Sequence, residues 1–212
     1  MDQPPPLSDR EDAILDAAFH AFAGYGYRRV TMEDIAAGAG LSRTALYQHF
    51  RNKEDIFRSL SERYFGLCLA EMDRALLADG AAEDVLRAAF IAKDGKFMDV
   101  VLGTPHGREL LDAGFTLAAE IAGRAEAAMA AGLADWLLRQ GAAARLGDPA
   151  LTAATMVAAL KGLKTSARTL DEYRAGQAML ARMLALALGC HAPPQASPVQ
   201  PEDEKTAIPH AP

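Results

Sequence analysis

Proline sets the limits of what this chain can fold into. Nine of the 11 prolines lie at the two ends: Pro4, Pro5 and Pro6, then Pro193, Pro194, Pro198, Pro201, Pro209 and Pro212. Proline lacks a backbone N–H and interrupts regular structure, so the long interior is left free for continuous backbone hydrogen bonding. The two interior prolines stand in Thr104-Pro105 and Asp148-Pro149. Each pair joins a capping side chain to a φ preset for a first helical turn, and so predicts a helix start. Between the ends Ala, Leu, Glu, Arg and Met dominate while Val, Ile and Thr are sparse, which favours helix over strand. Residues 1–7 and the tail 191–212 lack apolar periodicity and read as disordered extensions.

Cap signals and apolar spacing divide the interior. Ser8-Asp9-Arg10-Glu11 is a capping box followed by Ile14, Leu15, Ala18, Phe19 and Phe22, until Gly24 and Gly26 stop the helix. Thr31-Met32-Glu33-Asp34 forms a second box, with Val30 placed to staple onto Ile35. Asn52 opens a long amphipathic helix carrying Ile56, Phe57, Leu60, Tyr64, Leu67 and Met72. Further helices are predicted near 82–102, 105–112, 115–140, 149–169 and 172–188. The expectation is an all-α chain of about nine helices, with a three-helix domain over 8–55 and a helical body over 56–190.

Several function classes fall away. Cys68 and Cys190 lie far apart, outside any metal-ligand spacing, so no disulfide scaffold, metal site or cofactor is expected. No secretory signal and no uncharged membrane-length stretch is visible, which predicts a cytoplasmic protein without membrane contact. Nucleotide-cradling loops, Gly-x-Ser-x-Gly and His-Glu-x-x-His are absent from the sequence, so an enzyme is not expected. The net charge of −6 argues against a diffusely basic DNA-binding surface. Residues 28–58 are the exception: six Lys and Arg face four Asp and Glu, a local +2 that leaves −8 on the remainder.

Residues 31–50 have the physics of a helix-turn-helix. Small Ala36 sits where two short helices must cross, and Gly40 supplies the positive φ of a tight reversal. Leu41 and Leu46 pack the second helix onto Ile35, and Ser42 caps it. Arg43, Thr44, Tyr47, Gln48 and His49 are left as a donor-rich surface of the kind that reads a major groove. Phe50 is core. His49 fits either half-buried packing or a DNA contact, Tyr47 either packing on the first helix or a phosphate contact, and Arg28 and Arg29 either a solvated turn or part of the basic face.

The run Phe22, Gly26, Thr31, Ile35-Ala36, Gly40-Leu41-Ser42, Leu46-Tyr47, His49-Phe50 and Lys53-Glu54 resembles the amino-terminal domain of TetR/AcrR-type transcriptional regulators over roughly residues 8–60. The resemblance implies a homodimer whose recognition helices enter successive major grooves of a palindromic double-stranded operator. It also implies a carboxy-terminal domain where a small effector releases a repressor. Carried over residue by residue, Thr31 caps the second helix and touches phosphate, and Tyr47 and Lys53 grip the DNA backbone. Ser42, Arg43, Thr44, Gln48 and His49 face bases or nearby phosphates. Thr44 departs from the glycine common at that position, so no family operator carries over. A helical adaptor, or a regulator without ligand control, is the alternative within the same fold.

The remaining chain shows no shared motif. Helices near 149–169 and 172–188 carry small residues (Ala154, Ala158, Gly162, Ala178, Ala181) beside Leu151, Met179 and Met183, which suits either a four-helix dimer interface or an internal hairpin. Tyr64, Cys68, Phe90, Phe97, Met98, Phe115, Met129, Trp136 and Met156 are candidate lining for an effector pocket, with His106 and Arg108 to orient a polar group. Met or Phe at helical spacing is more often plain core, and His106 and Arg108 fit a solvated helix end equally well.

Overall fold

The computed structural model describes residues 9–189, apart from the side chains at 114 and 115. Ser8, both proline-rich ends and Cys190 lie outside the described residues, as do the expectations that fall on them. Eleven helices run in order among them: α1 (Asp9–Tyr25), α2 (Met32–Gly38), α3 (Arg43–His49), α4 (Lys53–Leu76), α5 (Ala82–Ala92), α6 (Phe97–Gly103), α7 (Gly107–Leu117), α8 (Ala119–Arg139), α9 (Ala143–Leu146), α10 (Pro149–Ser166) and α11 (Leu170–Ala187).

Most boundaries follow their caps. Thr31 and Asp34 make a reciprocal capping box, and Asn52 accepts the Asp55 N–H to open α4. Asp148 accepts the Ala150 N–H beside Pro149, and Thr169 accepts the Glu172 N–H to open α11. Pro105 instead lies in a turn two residues before α7.

The count of about nine is corrected to eleven because one expected helix breaks and a short one is added. The helix expected over 82–102 stops at Ala92 and restarts at Phe97, with Gly95 at φ +48° between them. Residues 93–96 form a turn between the two helices, and the Asp94 side chain in that turn is fully buried. Between α8 and α10, the four-residue α9 lies in a stretch outside the predicted helices.

Two main cores divide the length of α4. Ile14, Leu15, Phe22, Ile35, Leu46, Phe50, Ile56 and Phe57 fill the first, joined by Leu110, Ala118 and Ile121 from α7, its following residue and α8. Cys68, Met72, Phe90, Trp136, Leu160 and Leu184 belong to the second, built from α4, α5, α8, α10 and α11. A smaller cluster of Met98, Val101, Leu111, Ala167 and Tyr173 lies where α6, α7 and α11 meet. α7 thus supplies Leu110 to the amino-terminal core and Leu111 to this cluster, bridging the two parts of the chain.

Candidate functional site

The exposed face of α3 is built by a cap and two anchors. Seven residues are too few to hold a helix in water unaided, so tertiary burial must fix it. Leu46 is fully buried and Phe50 nearly so, while Gly40 at φ +68° turns the chain from α2. Ser42 Oγ accepts the Ala45 N–H at 3.1 Å. Arg43, Thr44, Tyr47 and Gln48 then stand exposed, with Tyr47 43% accessible, which rules out its burial beneath the first helix. Arg43 pairs with Glu33 of α2 and lies over the Tyr47 ring. His49 is half-buried, its Nδ1 3.8 Å from Glu11 of α1. Thr31, at the α2 start, is exposed, and its backbone and side-chain hydrogen bonds hold the Asp34 carboxyl below the usual range. Arg28 and Arg29 are exposed in the turn between α1 and α2.

Lys53 is placed differently from its expected part in a phosphate grip. Its Nζ donates to the carbonyls of Tyr27 at 2.7 Å, Val30 at 2.9 Å and Arg28 at 3.3 Å, and lies 4.6 Å from the Tyr27 ring centroid. All three donors face carbonyls of the α1–α2 turn, so the ammonium closes that turn from within. Partial burial pulls its pKa down, against the opposing attraction of Glu109. A signal was present in the sequence: a lysine in a helix's first turn opposes the helix dipole and calls for a specific partner.

A second site lies in the carboxy-terminal body, where α4, the α5–α6 turn, α7, α8 and α10 enclose a cavity of about 440 Å³. Tyr64, Cys68, Phe97 and Met129, four of the candidates from the sequence, border it together with Phe57, Leu110, Leu111 and Val157. The other candidates do not. Phe90 and Trp136 are buried in the second core, Met98 in the small third cluster, and Met156 packs against the second core from its edge. His106 borders a separate hollow beside α1, near Glu109, and Arg108 donates to the Ala167 carbonyl at 2.8 Å. These assignments to the pocket are corrected: apolar periodicity marks a buried face without distinguishing a cavity wall from solid core. Phe115 lies outside the described side chains.

The cavity also has a polar wall that the sequence reading missed. Asp94, fully buried, takes Lys93 Nζ and Lys164 Nζ on Oδ1, each at 2.9 Å. Its Oδ2 accepts the Tyr173 hydroxyl and, at 3.1 Å, Gln177 Nε2. Burial raises the Asp94 carboxyl, but Lys164, Lys93 and the Tyr173 hydroxyl outweigh it and hold the group at about 2. Burial pushes the Cys68 thiol up to about 11, so this sulfur is a packing atom rather than a nucleophile.

Known proteins match both parts to different depths. The sequence profile described as bacterial regulatory proteins, tetR family, matches residues 14–60. The HTH-type transcriptional activator FasR of Mycolicibacterium smegmatis is 30% identical over 106 residues, covering 50% of this chain and 47% of FasR. The HTH-type transcriptional repressor KstR2 of the same species is 29% identical over 115 residues, 52% of this chain and 56% of KstR2. The chain therefore spans about half the length of these curated relatives. Among solved structures, SmeT, the repressor of the Stenotrophomonas maltophilia multidrug efflux pump SmeDEF, is 26% identical with a TM-score of 0.63, covering 87% of this chain and 94% of SmeT. A SmeT–triclosan complex covers 92% of this chain and all of its own, at 24% identity and a TM-score of 0.63. Among the described residues no helix is long and apolar enough to cross a membrane.

Proposed function

The amino-terminal domain of this chain belongs to the TetR family of bacterial regulatory proteins, and from that premise we propose that the chain is a cytoplasmic, homodimeric transcriptional regulator, a repressor that a small ligand releases from a palindromic operator. The observation that carries this reading is the α3 face. In a chain of net charge −6, Arg43, Thr44, Tyr47 and Gln48 project together from a helix anchored by Leu46 and Phe50. Polar donors on an exposed recognition helix suit base edges, while exposed Thr31 at the start of α2 and Arg28 and Arg29 in the preceding turn suit phosphate.

Dimerisation is supported by an uncovered face on the last two long helices. Leu151, Ala154, Ala158 and Gly162 are exposed on α10, and Met179, Met183 and Leu186 on α11. Pairing this face with its copy would make a four-helix interface. It would set the two α3 helices for half-sites about 34–36 Å apart. The cavity is the proposed effector site. A ligand controls DNA binding only by preferring the dimer whose α3 helices no longer match that spacing.

Selection of binding sites from random duplex DNA tests the reading, followed by titration of the selected duplex at two salt concentrations. A palindromic winner with salt-dependent affinity is the expected result. No enrichment at low salt from folded, dimeric, ligand-free protein would favour the adaptor.

A further inference from the structure

The polar wall of the cavity carries more positive than negative charge. Lys93 and Lys164 both reach Asp94 Oδ1, and their side chains are 7% and 12% accessible. Among the described residues, no second carboxylate comes within ion-pair distance of either ammonium. The other carboxylates bordering the cavity have cations of their own: Glu126 meets Lys161, Asp16 meets Arg63 and Glu71 meets Arg74. Asp94 has no acceptor capacity to spare, because Tyr173 and Gln177 occupy its other oxygen. One buried cation is thus left without a counter-charge, and isolated charge is strongly disfavoured away from water. Burial already draws Lys93 below the ordinary lysine range.

This excess charge faces an apolar chamber. Lys164 borders the cavity with its Nζ 5.3 Å from the Phe97 ring centroid, and Leu111, Met129 and Val157 continue the apolar wall. We propose that the cavity takes an amphipathic monoanion, a carboxylate on a hydrocarbon body, with the carboxylate seated on Lys164 beside Asp94 and the hydrocarbon against Phe97 and Met129. The proposal rests on the reading of the cavity as an effector site and names the ligand class for it. The anion neutralises the surplus cation, and the apolar body removes its own surface from water against the remaining wall. A neutral or cationic amphiphile of the same length fills the same space and leaves the surplus in place.

Isothermal titration of the full-length protein with decanoate, decanol and decylamine, each below its aggregation threshold, tests this directly. Decanoate is expected to bind about tenfold or more tightly than either of the others, the range set by one charge-assisted contact. Lys164→Met, which leaves Lys93 and Asp94 as a matched pair, is expected to erase that preference, so that decanoate binds no more tightly than decanol. Decanol or decylamine binding as tightly as decanoate to the wild-type protein would overturn the anion and leave the effector cavity standing. No binding of any of the three would overturn the proposal together with the effector reading of this chamber.

Discussion

The Glu109 carboxylate of α7 accepts the backbone N–H of Arg28 at 2.9 Å, across 81 residues of sequence. The bond ties the turn between α1 and α2 to the helix that also supplies Leu111 to the cavity wall and Leu110 to the amino-terminal core. Glu109→Ala frees that N–H without touching α3. The expected loss is about 1 kcal/mol of stability, with much faster hydrogen exchange at the Arg28 amide. Unchanged exchange there would remove this contact from the connection between the cavity and the DNA-facing domain.

On α3, position in the groove and reading of bases separate by residue. Gln48→Ala and Thr44→Ala are expected to change the base preference in a repeated site selection, because each removes a group aimed at base edges. Tyr47→Phe removes one hydroxyl suited to phosphate and is expected to weaken all duplexes about equally. Uniform weakening by Gln48→Ala would reassign that side chain to positioning the helix.

Lys53 tests whether its ammonium acts on DNA or on the protein. A phosphate contact would lower the salt slope by roughly one when removed. Its bonds to Tyr27, Arg28 and Val30 predict another outcome. Lys53→Met should lower stability by about 1–3 kcal/mol in urea unfolding, as a charged donor leaves carbonyls unpaired. The salt slope should change by well under one. A full unit of change at unaltered stability would restore the phosphate role.

The α10–α11 face predicts the oligomeric state. Leu151 is 67% and Met183 57% exposed, so neither contributes much to the fold of one subunit. The double substitution Leu151→Asp and Met183→Asp places like charges opposite each other in the proposed four-helix interface. Light scattering should then report a monomer with little change in helicity. A dimer that survives would move the interface elsewhere.

What the sequence disclosed was local chemistry. Thr31, Ser42, Asn52 and Asp148 cap the helices they were expected to cap, since a cap needs only a side chain and the N–H groups two or three residues ahead. The α3 surface was equally legible, because one buried Leu46 fixes which neighbours point outward. The cavity was not. Phe90 and Phe97 have the same apolar character, yet one is core and the other wall, and that depends on where α5 ends. Lys93-Asp94-Gly95-Lys96 has the composition of a solvated turn. Its Asp94 is buried only because Lys164, Tyr173 and Gln177 arrive from α10 and α11, between 70 and 83 residues along the chain.

That buried carboxylate makes a prediction about acid. Its folded pKa of about 2 lies below the roughly 3.9 of an unfolded aspartate. The unfolded chain therefore binds the proton more readily, and stability rises with pH through this window. The contribution is complete above the unfolded value and is lost as pH falls from about 4 towards 2. Asp94→Asn should flatten that part of the stability profile. At neutral pH it also leaves Lys93 and Lys164 without their shared carboxylate, an effect on the order of 3–5 kcal/mol. Lys164→Met should be milder, because Lys93 and Asp94 remain matched. Urea midpoints for the three proteins between pH 3 and 7 decide the matter. An Asp94→Asn protein that keeps the wild-type acid slope would show that another carboxylate carries it.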